Sequence, residues 1–341
     1  MKIVYTEKHS RHHPPSQFLG NGMYPYPEIP DRLEAILLSI WGSDRNEILP
    51  PNAYSMDPIA EVHDEGYLQY LEGVHKAWAQ AGGGSDAGLI PDTFAMRTLN
   101  GRPEDLVHQA GYYCFETQTP VMEQTFEVAR EASFCALTGS DLLLSGEPSV
   151  YALCRPPGHH AGRDVYGGYC YLNHAAIAAR YLSSEGRVAV LDIDYHHGNG
   201  TQSIFYDSNA VMFVSIHADP NRKYPFFSGF EDEKGEGPGL GNNLNVPLGP
   251  DVNEAEYLSV LDSAIDRIQT FDPAFSVISL GVDTHRNDPL GDFDIEVSSF
   301  GEFGKRLRGL AVPTLIVQEG GYDLLSLGAC VAGFLNGIEG S

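Results

Sequence analysis

Five runs of this chain are apolar without alternation: VYALC (150–154), VAVLDID (188–194), VMFVSIH (211–217), AFSVISLGVD (274–283) and TLIVQEGGY (314–322). A strand with one wet face alternates apolar with polar residues, so these runs must bury both faces. Four of them follow amphipathic helical stretches: FEVAREASFCALTGSDLLLSG, AAIAARYL, EAEYLSVLDSAIDRI and SFGEFGKRLRGL. Buried strands alternating with helices imply an α/β fold, a central, mainly parallel sheet covered by helices on both sides. KIVYT (2–6) reads as a further short strand, and SRHHPPSQFLGNGMYPYPEIP as a long loop. Asp31 is expected to cap the helix RLEAILLSIW, and EGYLQYLEGVHKAW is expected to form another. With 341 residues and 42% hydrophobic content the chain can bury one large core. The Gly- and Pro-rich stretch at 81–118 would leave too little before it for a domain, so it reads as an insertion within a single domain spanning 1–341.

In such sheets ligands bind beyond the carboxyl ends of the strands. There the chain places His159 and His160, then Asp192, Asp194, His196 and His197, then Ser215 and His217, then Asp283, and last Tyr322. One histidine at a strand end is usually structural; chemistry at the end of every strand is not. Asp194 and His196, two apart in an extended segment, would share a side and bind one cation together. Asp283 would complete a set of two carboxylates and one imidazole with an open position, which suits zinc or ferrous iron. His159 and His160 are then free for proton transfer, and Tyr322, after two glycines, for donation to an oxyanion. Metal, histidine base and hydroxyl donor together spell hydrolysis of an acyl bond.

The motifs RPPGHHA, GGYCYLNHAAIA, LDIDYHHGNGTQ, SLGVDT and EGGY resemble, in order and spacing, those of the histone deacetylase superfamily. YPFFSGFEDE (224–233) is most similar to its acetylpolyamine amidohydrolase branch. The resemblance implies an arginase/deacetylase-like three-layer fold and a zinc site of Asp194, His196 and Asp283. His160 would be general base and then acid, His159 its electrostatic partner, and Tyr322 the group polarising the scissile carbonyl. Asp192 would stand behind His159 and Asn199 behind His160, where many histone deacetylases place Asp. The resemblance also implies structural potassium held by Asp192, Ser215 and the carbonyls of Asp194, His196 and Ile216. A second monovalent site would use Phe205, Ser208 and Val211. Tyr169 and Phe227 would line the substrate tunnel, with Arg32 behind it. In the acetylpolyamine branch the insertion builds a homodimer and narrows the mouth; Glu104, Asp105 and Glu116 are candidates to attract a distal ammonium.

The net charge of −25 disfavours nucleic acid and favours a cationic small substrate, which the resemblance implies is acetylated. Its plainer role is a solvated surface. Five cysteines without C-x-x-C, and no long apolar segment, point to a reduced cytoplasmic protein with no membrane span. His12, His13, His63, His75, His174 and His285 read as core or surface residues, and His108 as a residue able to reach a partner subunit. Gly-rich 81–88 lacks the Lys of a phosphate loop. The expected activity is zinc-dependent hydrolysis of acetylated polyamines, such as acetylputrescine or acetylcadaverine. A protein lysine deacetylase is the alternative, since the chemistry is the same and only access differs.

Overall fold

Ten strands occur among the described residues, which in this computed structural model are 1–41, 46–84 and 88–340. In chain order they are β1 (Lys2–Val4), β2 (Ser16–Leu19), β3 (Gly22–Pro25), β4 (Glu47–Leu49), β5 (Ser149–Ala152), β6 (Val188–Asp192), β7 (Val211–Ala218), β8 (Asn243–Leu248), β9 (Phe275–Leu280) and β10 (Thr314–Gln318). Eight form one sheet in the order β4-β1-β5-β10-β9-β6-β7-β8. Every pairing in it is parallel.

Both faces of the central strands are apolar, as the unbroken runs require. Val188 and Val190 of β6 join one hydrophobic cluster while Ala189 and Leu191 join the other. The helices Glu65–Gln80, Thr125–Leu144 and His174–Leu182 cover the first face. Asp31–Ile40, Glu254–Phe271, Val297–Leu307 and Leu327–Glu339 cover the second. All five cysteines are buried and unpaired. No helix among the described residues is long and apolar enough to cross a membrane.

Several local expectations change. The segment read as a loop before residue 31 contains a 3-10 turn (Glu7–Arg11) and the antiparallel hairpin β2–β3. Its strands are short and largely exposed, so they leave no buried run to read. Asp31 is the first residue of its helix rather than its cap; Pro30 precedes it and no side chain caps that end. β4 and β8 were absent from the sequence reading because they are edge strands, half-exposed and without a continuous apolar run. The insertion is built into the same body. Leu89 bridges Val121, and the short helical turns Val107–Gln109 and Ala110–Tyr113 bring Tyr113 and Cys114 into the core. Residues 85–87 of it lie outside the described residues.

Candidate active site

β6 ends at Asp192, so Asp194 and His196 stand beyond it, in a bend rather than an extended segment. They still converge, for a different reason than strand alternation. Asp194 is fixed by backbone donors: His196 N–H reaches Oδ1 at 2.9 Å and Gly320 N–H reaches Oδ2 at 2.8 Å. Asp283, just past β9, accepts from Tyr195 N–H at 2.9 Å. The imidazole Nδ1 of His196 then lies 3.0 Å from Asp283 Oδ2 and 3.4 Å from Asp194 Oδ1. One ligand atom from each of the three lies within 4.8 Å of the others. Two glycines make room: a Cβ on Gly281 would come within 2.0 Å of Asp194 Oδ2, and one on Gly320 within 2.5 Å.

Electrostatics mark the same spot. Burial, and then the neighbouring Asp194, push Asp283 up to about 7, while His196 is raised to about 9 because the two carboxylates outweigh its burial. Crowded buried carboxylates facing one imidazole are costly unless a cation sits among them. Two oxygens and one nitrogen in this arrangement suit a divalent metal with an open position. A second group, His159, Cys170 and Glu319, is equally close. Its atoms are already engaged: Glu319 accepts from Gly158 and His159 N–H and from Ser279 Oγ, and Cys170 Sγ donates to Gly168 O.

The paired histidines follow β5, on a turn that Glu319 holds through those two backbone bonds. His159 Nδ1 lies 2.9 Å from Asp192 Oδ2. Burial opposes its charge, yet Asp194 and Asp192 raise it to about 10. His160 behaves oppositely. Burial, then His159 and His196, hold it well below the usual histidine range. Its Nδ1 lies 2.7 Å from Asn199 Oδ1, whose oxygen can only accept, so Nδ1 carries the proton and Nε2 keeps its lone pair. The surroundings thus favour charge on His159 and oppose it on His160, whose rings stand side by side with centroids 4.0 Å apart.

Tyr322 reaches the site from the turn after β10. Its ring carries the Arg32 guanidinium at 4.7 Å, and Arg32 binds Gly321 O and Glu319 O at 2.6 Å each. Glu28, fully buried, joins Arg32 to Arg155. A pocket of about 260 Å³ rises from this floor. His159, His160, His196 and Tyr322 line it below, and Tyr169, Tyr224, Phe226 and Gly168 form its walls.

One expected wall residue is misplaced. Phe227 is 93% exposed and does not line the pocket; its neighbour Phe226 does, from a backbone with φ of 67° that turns the ring inward. Tyr169 is at the wall as expected, also at positive φ, its hydroxyl 2.9 Å from Gln17. The carboxylates expected to hold an ammonium are occupied or remote. Glu116 is engaged with Gln118, Thr119 and the Gly168 N–H. Asp105 caps a turn at Val107 and His108, and Glu104 is exposed away from the pocket lining. The charged residues on the upper wall are instead Arg222 and Lys223.

The remaining residues fall as follows. Asp192 and Ser215 are register partners on β6 and β7, with Ile216 next to them and buried. Ser215 Oγ meets His217 Nδ1 at 2.8 Å. Phe205 ends the helix Asn199–Phe205, Ser208 lies in the turn after it, where its N–H donates to Phe205 O, and Val211 opens β7. His12, His63 and His174 are buried at Thr125, Asn173 and Ser133. His108 is exposed. Sequence reading missed Glu319, Tyr224, Gln17, Arg222 and Phe226. Glu319 carried a signal as the acid of EGGY at a strand end, and Tyr224 and Phe226 lie within the motif YPFFSGFEDE; Gln17 and Arg222 carried none.

Known proteins share this fold and much of this sequence. A family model described as histone deacetylase domain matches residues 26–338. Acetylpolyamine amidohydrolase 1 of Pseudomonas aeruginosa is 39% identical, the match covering 100% of this chain and 99% of that one. Acetylpolyamine amidohydrolase of Mycoplana ramosa is 37% identical over 100% of both. The crystal structure of acetylpolyamine aminohydrolase from Burkholderia pseudomallei superposes with a TM-score of 0.91 at 38% identity, covering 99% of this chain and 98% of that one. The chain belongs to the histone deacetylase family, with the arginase/deacetylase fold, and is a hydrolase of the deacetylase kind.

Proposed function

We propose that this protein hydrolyses the acetyl amide of acetylated polyamines, giving acetate and the free amine, with zinc bound by Asp194, His196 and Asp283. The observation that carries the reaction is that the three-residue set reaches, through His196, the same pocket that His160 and Tyr322 line. The substrate class rests on relatives named acetylpolyamine amidohydrolase that match along their whole length. Bound zinc, or ferrous iron, would supply Lewis acidity toward the carbonyl and the attacking water.

The chain's own groups do the rest. His160 Nε2 takes a proton from water as it attacks, and later gives a proton to the departing amine. His159, charged and held by Asp192, stabilises negative charge nearby. Tyr322 donates to the oxygen that becomes negative. Potassium held by Asp192, Ser215 and the carbonyls of Asp194, His196 and Ile216 would neutralise buried acid behind the site. Phe205, Ser208 and Val211 form the second monovalent candidate. A homodimer is part of this reading: the insertion exposes Met96 and Leu99 and the β2–β3 hairpin exposes Met23 and Tyr24. The buried thiols fit a reducing cytoplasm.

A protein lysine deacetylase is the second reading. One observation favours it: the pocket lining contains Arg222 and Lys223 and no carboxylate, a poor seat for a free ammonium. The test is turnover of acetylputrescine, acetylcadaverine, acetylspermidine and acetyl-lysine peptides by enzyme of known metal content. A higher kcat/KM for the acetylpolyamines supports the first reading; equal or higher values for the peptides replace it with the second.

A further inference from the structure

The turn that carries Tyr322 is pinned from two sides. Arg32 holds its carbonyl groups at Glu319 and Gly321. The other side is held by Asp288, a buried carboxylate to which neither the motifs nor the chemistry above gives a role. Its Oδ2 accepts from Tyr322 N–H at 2.6 Å and from Asp323 N–H at 3.2 Å. Its Oδ1 accepts from Leu290 N–H at 2.9 Å, and Leu290 lines the pocket. Asp288 sits on the same loop as Asp283, and that loop folds back tightly. Gly291 N–H bonds Asp288 O, and a Cβ on Gly291 would come within 2.1 Å of Asp283 O.

We infer that Asp288 is a positioning residue that ties the loop bearing the metal ligand Asp283 to the turn bearing Tyr322. A hydroxyl that must meet a developing oxyanion works only within a few tenths of an ångström, and a side chain on a glycine-rich turn has no such precision by itself. Gly320 and Gly321 are required by space and by φ, with Gly321 at 119°, so rigidity has to come from outside the turn. Three backbone N–H bonds converging on one buried carboxylate are strong enough to supply it. Asp288 acts through Tyr322 and does not touch the reacting atoms. This rests on the deacetylase reading only for its kinetic consequence; the pin itself can be measured without substrate.

The experiment uses the full-length protein loaded with zinc, as wild type, Asp288→Asn, Asp288→Ser, Tyr322→Phe and the double variant Asp288→Asn/Tyr322→Phe. Amide hydrogen exchange should rise at least tenfold at residues 320–325 in the Asp288 variants while the β6 and β9 amides keep their protection. On an acetyl amide, Asp288→Asn should lower kcat about 10- to 100-fold with KM and zinc content little changed. In the Tyr322→Phe background the same change should lower kcat less than about twofold, because there is no hydroxyl left to position. Unchanged exchange at 320–325 overturns the inference, as do losses that simply multiply in the double variant. Failure of both Asp288 variants to fold also overturns it, since Asp288 would then serve the fold rather than the turn. An inactive wild type with the exchange difference present refutes the function and leaves the pin standing.

Discussion

The floor and the rim of the pocket are built on different principles. On the floor, Asp192, Asp194 and Asp283 are buried, and backbone N–H groups or His159 hold them. Glycines at 281 and 320 admit no other side chain there. The rim draws on separate segments: Leu19 from the hairpin, Gln118 from the end of the insertion, Arg222 and Phe226 from the loop after β7, and Leu290 from the loop after β9. Phe226 is half exposed, Phe227 almost wholly so, and Arg222 makes no side-chain hydrogen bond or ion pair among the described residues. A buried, mutually bonded floor fixes which bond is broken. A loosely held rim decides what is admitted, and it can change without disturbing the floor.

The largest effects should therefore come from the floor. Asp194→Asn or His196→Ala should abolish zinc binding and reduce turnover by more than about 10³-fold while circular dichroism stays native. Full zinc occupancy in either variant, measured by elemental analysis, would break the floor as described. Tyr322→Phe comes next. It should cost about 10²–10³ in kcat with zinc retained, and a wild-type kcat would remove its hydroxyl from the reaction.

Metal uptake should depend on pH in a direction set by the ligands. In metal-free protein burial and Asp194 lift Asp283 to about 7, and the two carboxylates lift His196 to about 9. Both protons must leave before zinc binds, so zinc competes with them and its affinity falls as pH falls. Titration calorimetry in two buffers should register proton release at pH 6.5, with affinity dropping about tenfold per proton displaced for each unit of acidification. Uptake without proton release would contradict the crowded pair.

Rim changes should be smaller and show in selectivity. Arg222→Glu should leave kcat near wild type but shift the ratio of kcat/KM for acetylputrescine over an acetyl-lysine peptide by about fivefold to tenfold toward the diamine. Such a shift needs only about 1–1.4 kcal/mol, a plausible scale for a partly screened charge. An unchanged ratio would place Arg222 outside the substrate's reach. Finest of all is the contrast between neighbours: Phe226→Ala should raise KM a few-fold and Phe227→Ala by less than about twofold, following the burial each loses. Equal effects would mean that Phe227 folds over the mouth in solution.

How much of this was legible beforehand follows the same division. Apolar runs at β5, β6, β7, β9 and β10 are long and buried on both faces, so hydrophobic pattern alone gave the parallel sheet. The residues after those strands are contiguous with them, which is why Asp194, His196, Asp283, His160 and Tyr322 can be read as candidates from sequence alone. Burial on both faces is written in local sequence. The edges β4 and β8 and the hairpin β2–β3 are half exposed and short, and carry no such signature.

Hydrophobic pattern and motif order by themselves determined the parallel sheet and which polar residues stand at its carboxyl edge. Tertiary structure alone decided the rest. It put Phe226 rather than Phe227 on the wall through one positive φ, and it consumed Glu116 in bonds to Gln118, Thr119 and Gly168. It also set Asp288 under Tyr322 and brought Arg222 to the mouth. These depend on backbone turns and on contacts between segments far apart in the chain. Local pattern cannot encode a contact whose two halves lie 34 residues apart, as Asp288 and Tyr322 do, because nothing in either segment's periodicity refers to the other.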